Sequence, residues 1–143
     1  IKIIASNRKA NFEYLILSKY EAGMVLFGTE VKSLREARVN IQDAYGKITN
    51  DEVWLVNANI NEYKFGNINN HDPLRNRKLL LNKREIRKIK QELQEKGLTL
   101  VPLKIYFKGS KIKIEIGIAK GKKLYDKRES IKKREVERNL SRL

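Results

Sequence analysis

The chain has 143 residues, which fits one domain with an appendage. A domain of this size can fold around its own hydrophobic core without disulfides or a structural metal. It contains no cysteine, so a disulfide framework and a thiolate metal site are both excluded. The 32 lysines and arginines outnumber the 17 acidic residues, and the net charge of +15 predicts a polyanionic partner. The apolar run at residues 15–17 is too short for a signal peptide or a membrane span. We therefore expect a cytoplasmic protein.

Two short strands and one short helix are predicted after a polar, basic lead-in at residues 7–11. Apolar and polar residues alternate over residues 12–17, and residues 19–23 separate this strand from a second one at residues 24–27. Residues 29–38 then show helical spacing behind a threonine whose hydroxyl suits an N-cap.

The middle of the chain is predicted to form a β-hairpin followed by a long loop. Residues 44–48 and 52–56 read as strands and flank a turn at residues 49–51. Trp54 could stack on a nucleobase, but a tryptophan inside a strand more often packs against the core. The segment 57–70 is rich in asparagine and glycine, which is typical of a loop.

One helix and two long strands are predicted next. Asn82 and Glu85 have the spacing of a capping box, and Gly97 is expected to end the helix. Residues 98–107 and 112–119 form the strands, and alternating isoleucines in the second predict one buried face. The polar face of the helix is basic, which is also typical of a solvated surface. It carries Lys83, Arg84, Arg87, Lys88 and Lys90.

These elements predict a fold that is mainly β with flanking helices. Several short antiparallel strands and one capped helix favour a small OB-fold-like β-barrel over residues 1–120. Residues 121–143 form a basic tail that we expect to be disordered when free and helical against a polyanion. The tail lacks the continuous apolar face of a membrane-surface helix, which favours nucleic acid over lipid as partner. A solvated tail that only aids solubility is the alternative.

Two features suggest catalysis, and neither is complete. His71 beside Asp72 could act as a general base, but no nucleophile can be matched to it, and a turn residue or RNA contact explains it better. Glu30 and Lys32 match the E-x-K core of metal-dependent nucleases, but no aspartate precedes Asp43, and the pair begins a predicted helix instead of lying on a strand. We expect neither enzymatic activity nor a cofactor or metal.

Four segments stand in a distinctive order: YEAG at residues 20–23, GTEVKSLR at 28–35, NHDPLRNRKLLL at 70–81 and AKGKKLYDKR at 119–128. Taken together they resemble the SsrA-binding protein family, also called small protein B. Residues 97–103 stand where that family has a similar strand, and the resemblance covers the chain from Asn7 onward. Residues 36–38 depart from the glycine that the family often has there, which affects only the end of the short helix.

The resemblance implies an OB-fold-type RNA-binding adaptor of trans-translation, the rescue of stalled bacterial ribosomes. The family binds the tRNA-like domain of transfer-messenger RNA (tmRNA), where it fills the space of an anticodon arm. It accompanies the alanyl-charged RNA with elongation factor Tu to stalled ribosomes. The tail is then expected to enter the vacant mRNA channel as a helix. We expect the protein to be a monomer.

The resemblance assigns RNA binding to Glu21, Leu80 and Lys113. From their residue types alone, Glu21 could equally be a loop carboxylate paired with a lysine, and Leu80 a core residue. We add the basic residues of two matching segments, Lys32, Arg35, Arg75, Arg77 and Lys78. The tail residues expected to engage the ribosome are Lys120, Gly121, Lys122, Lys123, Tyr125, Asp126, Lys127 and Arg128.

The alternative function is that of a ribosome-associated structural protein with a basic OB fold. Structured RNA is read by its shape and backbone, so a curved barrel surface with scattered cations suits either function. A structural protein would co-sediment with idle and stalled ribosomes alike, independently of tmRNA.

Overall fold

Nine strands and three helices form the part of the chain that the computed structural model describes, residues 1–66 and 70–121. The helices are α1 (Arg8–Glu13), α2 (Gly28–Arg35) and α3 (Lys83–Glu92). The strands are β1 (Lys2–Ser6), β2 (Tyr14–Met24), β3 (Val39–Asn40), β4 (Tyr45–Thr49), β5 (Glu52–Val56), β6 (Asn59–Ile60), β7 (Arg77–Leu80), β8 (Leu98–Lys108) and β9 (Lys111–Gly121).

Six of the strands form a closed antiparallel barrel in the order β4-β5-β7-β2-β9-β8. β8 completes the circle because it pairs with β9 along most of its length and with β4 where Leu100 lies opposite Gly46. β1 extends the wall beside the second half of β8, and β3 and β6 form a separate ribbon. The predicted small antiparallel barrel is confirmed, with six strands where an OB fold has five.

The barrel interior is filled by side chains that alternate along each strand. Ile114, Ile116 and Ile118 of β9 are fully buried and share one core with Ala22 of β2 and Ile105 of β8. This pattern confirms the predicted inward face of β9, because alternate residues of a strand point to the same side.

The helix predicted after Asn82, α3, also contributes to this core. Ile89 of α3 is fully buried in it, and Ile86 and Leu93 pack against the same cluster. Burial of this apolar face supplies the packing that a ten-residue helix needs to be stable. Within residues 1–66 and 70–121, no helix has the length and apolar character needed to cross a membrane.

The capping box of α3 is present, but the predicted end of the helix is wrong. The Asn82 side chain accepts a hydrogen bond from the Glu85 N–H at 2.9 Å, and the Glu85 carboxylate accepts one from the Asn82 N–H at 3.2 Å. The helix ends at Glu92, whereas Gly97 lies in the following turn with φ of 89°. Glycine suits that turn because it adopts positive φ without strain.

The basic lead-in at residues 7–11 is corrected, since α1 occupies most of it. Asn7 caps this helix: its side-chain oxygen accepts the Ala10 N–H at 3.1 Å, and its amide donates to the Pro102 carbonyl at 2.9 Å. Ala10 is buried with Val101 and Ala119 in a second, smaller cluster. The C-terminal part of β9 is therefore buried on both faces, whereas one buried face was predicted.

The strand predicted at residues 12–17 is confirmed from Tyr14 onward, whereas the break at residues 19–23 and the separate strand at residues 24–27 are wrong. Residues 14–24 form the single strand β2, and residues 25–27 lie outside it. β2 pairs with β9 on one side and with β7 on the other, so Gly23 stays extended between two partners instead of forming a turn. Ladder hydrogen bonds from both neighbours outweigh the local preference of glycine for turns.

The predicted hairpin and short helix are confirmed. β4 and β5 meet at Asn50 and Asp51, whose φ angles of 52° and 59° suit a two-residue hairpin turn. The N-cap lies two residues earlier than predicted, at Phe27 instead of Thr29, and the helix ends at Arg35 instead of near residue 38. Trp54 is half-buried on β5, as expected of a residue that packs against the fold.

The closure of the barrel at Gly46 can be tested. A Cβ added at Gly46 would lie 2.3 Å from Cδ2 and 2.6 Å from Cγ of Leu100, which is itself buried. Gly46→Ala is expected to lower the free energy of unfolding by about 1–3 kcal/mol, the usual effect of overpacking. Urea unfolding followed by circular dichroism measures the change. Gly28→Ala is the matched control, because its methyl group meets nothing within 4 Å. Equal stability of the two variants would contradict this account of closure.

Candidate nucleic-acid interface

Three residues singled out by the sequence share one outer face of the barrel. The strand register places Leu80 opposite Gly23, Gly23 opposite Lys113, and Lys113 opposite Tyr106. Glu21 lies two residues before Gly23 on the same face of β2. Leu80 is 51% exposed, so the alternative that it is a core residue is wrong. Because Gly23 has no side chain, the surface stays open between Leu80 and Lys113.

The Glu21 carboxylate is held by two residues of β8. The Tyr106 hydroxyl donates a hydrogen bond to it, and the Lys108 ammonium lies 3.1 Å from its Oε1 atom. The hydrogen bond from Tyr106 and then that from Lys108 lower the pKa of Glu21, so it is ionised at neutral pH. Burial, together with the Glu21 carboxylate, raises the pKa of Tyr106, which therefore remains a donor. We call the outer face formed by Glu21, Leu80, Tyr106, Lys108 and Lys113 the β2–β9 surface.

The chemistry of the β2–β9 surface is mixed rather than uniformly cationic. Its two ammonium groups can bind phosphate, and the exposed leucine can pack against a ribose or a base. The carboxylate repels phosphate but accepts hydrogen bonds from base amino groups or 2′-hydroxyls. Such a set suits contact with one folded RNA more than general adhesion to polyanions.

A buried ion-pair network lies beside this face, where α2 begins. Glu30 is fully buried, and its carboxylate lies 2.5 Å from Nη2 of Arg75 and 2.6 Å from Nε of Arg77. It also accepts the Phe27 N–H at 2.7 Å, which stabilises the first turn of α2. Burial opposes ionisation of Glu30, but the hydrogen bonds from Arg75, Phe27 and Arg77 outweigh it, and the pKa of Glu30 is lowered.

Arg77 belongs to this network and not to the surface. Its guanidinium is fully buried and donates to the carbonyls of Ala58 at 2.7 Å and Pro73 at 3.0 Å as well as to Glu30. The prediction that Arg77 contacts RNA directly is therefore corrected, because its donors are used inside the fold. Its effect on any ligand must pass through the segments that it holds in place.

Arg75 connects the network to the surface. Its guanidinium carbon lies 4.1 Å from the centroid of the Phe27 ring, and its Nη2 donates to the Val25 carbonyl at 3.1 Å. The Arg75 side chain keeps 24% of its surface exposed, and Phe27 keeps 55%. An exposed aromatic ring with an arginine on it is a suitable platform for a nucleobase.

The other predicted cations of the domain remain accessible. Lys78 lies on β7 with its ammonium paired to the Glu52 carboxylate, and its side chain is 40% exposed. Lys32 and Arg35 are exposed on α2, where the Lys32 ammonium lies 5.3 Å from the centroid of the Tyr63 ring. These lysines and Arg35 extend the positive surface away from Glu21.

His71 is a structural residue, which corrects its interpretation as an RNA contact. It is buried, with Nδ1 2.9 Å from the Thr29 hydroxyl and Nε2 2.8 Å from the Ile60 carbonyl. Because a carbonyl only accepts, Nε2 carries the proton and Nδ1 accepts from Thr29. Both ring nitrogens are thus occupied, and His71 has no free nitrogen to act as a base.

The Glu30–Lys32 pair lacks the geometry of a nuclease site. Both oxygens of the Glu30 carboxylate are bound by arginines, and the group is sealed from solvent. Across residues 1–66 and 70–121, no three side chains of His, Cys, Asp or Glu come together in a way that could hold a metal ion.

Only the first two predicted tail residues lie within the described part of the chain. Lys120 is half-buried in β9, and Gly121 ends that strand opposite Tyr14 of β2. The predicted boundary between barrel and tail at residue 121 stays a prediction. The other predicted tail residues, Lys122, Lys123, Tyr125, Asp126, Lys127 and Arg128, lie outside the described residues.

Comparison with known proteins places this barrel in a family. The family model described as SmpB protein matches residues 4–143 of the chain. The chain belongs to the SmpB family. It is 57% identical over 141 residues to the SsrA-binding protein of Carboxydothermus hydrogenoformans, a match that covers 99% of this chain and 95% of that protein.

Two further similar proteins support membership of the SmpB family. The SsrA-binding protein of Ligilactobacillus salivarius is 55% identical over 139 residues, covering 97% of this chain and 90% of that protein. A chain of a solved structure, described as "tmRNA-SmpB: a journey to the center of the bacterial ribosome", superimposes with a TM-score of 0.72. It is 47% identical, and the match covers 86% of this chain and 87% of that one.

Three contributors to this region escaped the sequence analysis. Tyr106 and Lys108 bind Glu21 across a separation of 85 and 87 residues, and no local pattern reveals which strands become neighbours. The sequence pattern places Phe27 in a strand, as an ordinary apolar residue. The threonine-glutamate sequence after Gly28 could have indicated a helix start whose N-cap is Phe27, since Glu30 occupies the capping-box position.

The network around Glu30 predicts a large effect of a small change. Glu30→Gln keeps the shape of the side chain but leaves Arg77 as an uncompensated buried charge. We expect the free energy of unfolding at neutral pH to fall by about 3–5 kcal/mol, the usual effect of breaking a buried pair. Chemical denaturation measures it. Glu36→Gln, at the exposed residue that follows α2, is the matched control and should change stability by no more than about 0.5 kcal/mol.

The same network predicts a pH dependence. Since the pKa of Glu30 in the folded protein lies below its ordinary value of 4.5, its stabilising effect is complete above that pH. It is lost as the pH falls through the lowered pKa. The stability difference between wild type and Glu30→Gln should therefore be constant near neutral pH and shrink in acid. A difference that grows in acid would contradict the assignment of an ionised carboxylate.

Proposed function

We propose that this chain is a non-enzymatic tmRNA-binding adaptor of ribosome rescue, and that it binds the tRNA-like domain of tmRNA through the β2–β9 surface. The observation that carries the proposal is the placement of Glu21, Leu80 and Lys113, from three distant segments, on one exposed face of an SmpB-family barrel. The name SsrA-binding protein, borne by relatives more than half identical over nearly the whole chain, supports the choice of RNA.

The residues of the β2–β9 surface have complementary roles in this proposal. Lys113 and Lys108 contact phosphates, and Leu80 packs against a nucleoside beside the open surface at Gly23. Glu21 provides selectivity between RNAs. Its charge weakens the binding of an RNA that presents only phosphate, and its oxygens accept hydrogen bonds from an RNA that presents donors. Lys32, Arg35, Arg75 and Lys78 add phosphate contacts around this centre.

The tail supplies the second half of the proposed function. With elongation factor Tu on the charged tmRNA, the adaptor reaches a stalled ribosome, where residues 120–128 contact ribosomal RNA and the tail probes the empty mRNA channel. The positive charge of this segment suits a channel walled by phosphate. A solved relative described with tmRNA and the bacterial ribosome supports this setting.

A salt series distinguishes specific from general RNA binding. The full chain is titrated with tRNA-like-domain RNA and with ordinary tRNA, and the logarithm of each binding constant is plotted against that of the salt concentration. We expect a preference for the tRNA-like domain that persists at high salt. Phosphate contacts alone would give both RNAs similar slopes, about −0.7 to −0.9 per contact. Equal binding would favour the ribosome-associated structural protein.

Lys113→Gln tests the centre of the surface. It should weaken binding of the tRNA-like domain about tenfold, which corresponds to about 1.4 kcal/mol for one hydrogen bond to a charged group. Lys2→Gln removes the same charge from an exposed position on β1 and is the control. If both variants bind equally well, Lys113 contributes only to the overall charge.

Removal of residues 122–143 tests the division of labour. The shortened protein should retain its preference for the tRNA-like domain, because the β2–β9 surface is complete without the tail. It should fail to support tagging of peptides on stalled ribosomes in a reconstituted translation assay. Loss of tRNA-like-domain binding on truncation would show that the tail itself holds the RNA.

A further inference from the structure

The helix α3 carries a basic face that the proposed function leaves unused. Lys83, Arg84, Arg87 and Lys88 are all exposed. At about 100° per residue they occupy one arc of about 140°, opposite the buried apolar stripe. Within residues 1–66 and 70–121, the side chains of these four residues make no hydrogen bond, ion pair or ring contact with another residue.

This face is internally repulsive. Lys83 and Arg87 are four residues apart, as are Arg84 and Lys88, and like charges at this spacing destabilise a helix. The acidic residues of α3 do not relieve the repulsion. Glu85 is used in the capping box with the helix N-terminus, and the Glu92 carboxylate accepts hydrogen bonds from the hydroxyls of Ser18, at 2.7 Å, and Tyr20.

The bonds of Glu92 also show where the face lies. Ser18 and Tyr20 pair with Ile118 and Ile116, which are fully buried, so α3 is attached to the interior side of β2. Glu21, in contrast, points outward from the same strand. The α3 face is therefore separate from the β2–β9 surface, because the two lie on opposite sides of β2.

We propose that the α3 face binds the phosphate backbone of a second, double-helical RNA while the β2–β9 surface holds its own RNA partner. A row of cations without a compensating anion is complementary to a line of phosphates, which would also remove the repulsion between Lys83 and Arg87.

The structure favours duplex RNA over other polyanions. A membrane surface is excluded because the apolar face of α3, with Ile86, Ile89 and Leu93, is packed in the core and cannot insert into lipid. Single-stranded RNA is held largely by stacking on aromatic rings, and α3 contains none. Duplex RNA is recognised through its backbone and shape, for which this row of lysines and arginines is sufficient.

The test is whether one protein molecule can hold two RNAs. Full-length protein is saturated with tRNA-like-domain RNA, and a labelled RNA duplex of about 16 base pairs is then titrated in at several salt concentrations. The variant carries Lys83→Gln, Arg84→Gln, Arg87→Gln and Lys88→Gln. The control removes the same charge from scattered exposed positions through Lys2→Gln, Arg8→Gln, Arg38→Gln and Lys47→Gln.

We expect wild type and control to form the ternary complex and the α3 variant to lose it. The salt slope for the duplex should become shallower by up to about 3.6 in the α3 variant, from four contacts at about 0.9 each. Binding of the tRNA-like domain should be unchanged, so failure of this proposal is distinguishable from failure of the proposed function. The melting temperature of the free α3 variant should be at or above that of wild type, because the repulsion is gone.

Three outcomes would overturn the proposal. The first is an α3 variant that binds the duplex as the control does. The second is duplex binding that displaces the tRNA-like domain, which would place both RNAs on one surface. The third is loss in the α3 variant of binding to polyglutamate but not to duplex RNA, which would assign the face to an acidic protein.

Discussion

One buried carboxylate organises the segments around the exposed surface. Glu30 holds the start of α2 through the Phe27 N–H, and holds the loop before β7 through Arg75 and Arg77. Desolvating the charges of Glu30, Arg75 and Arg77 opposes folding, so the network is weak evidence of net stability, although removal of Glu30 would leave a buried charge unpaired. One consequence of the network is that the Arg75 guanidinium lies over the exposed Phe27 ring. A purely apolar contact would not fix the orientation of the guanidinium on the ring.

The barrel performs a different task, which is to bring distant residues together on its outside. Because β2 lies between β7 and β9, Leu80 and Lys113 become neighbours across Gly23. A carboxylate in the middle of so basic a protein weakens its general attraction to phosphate. Under the proposed function, this carboxylate would let the surface distinguish one folded RNA from another, since specificity depends on what is disfavoured as well as on what is bound.

The two faces of β2 thus lead to two kinds of surface. Outward, Glu21 and its hydrogen-bonded neighbours on β8 form a mixed site with defined geometry. Inward, Ser18 and Tyr20 anchor α3, whose far side is a simple row of positive charge. The first surface can select among ligands through its geometry, whereas the second can attract polyanions only through its charge.

Local pattern was sufficient for much of this protein. The hairpin turn at Asn50, the capping box at Asn82 and the alternating isoleucines of β9 each predicted the element that formed, because turn chemistry, capping and burial period act between near neighbours. The resemblance to the family assigned RNA binding to Glu21, Leu80 and Lys113, and that assignment stays a prediction. Tertiary structure alone decided which charges are free. Arg77 and His71 look like surface residues in the sequence, but both are buried, since only long-range packing brings Glu30 to one and the Ile60 carbonyl to the other. Gly23 reads as a turn, and pairing on both sides keeps it in a strand.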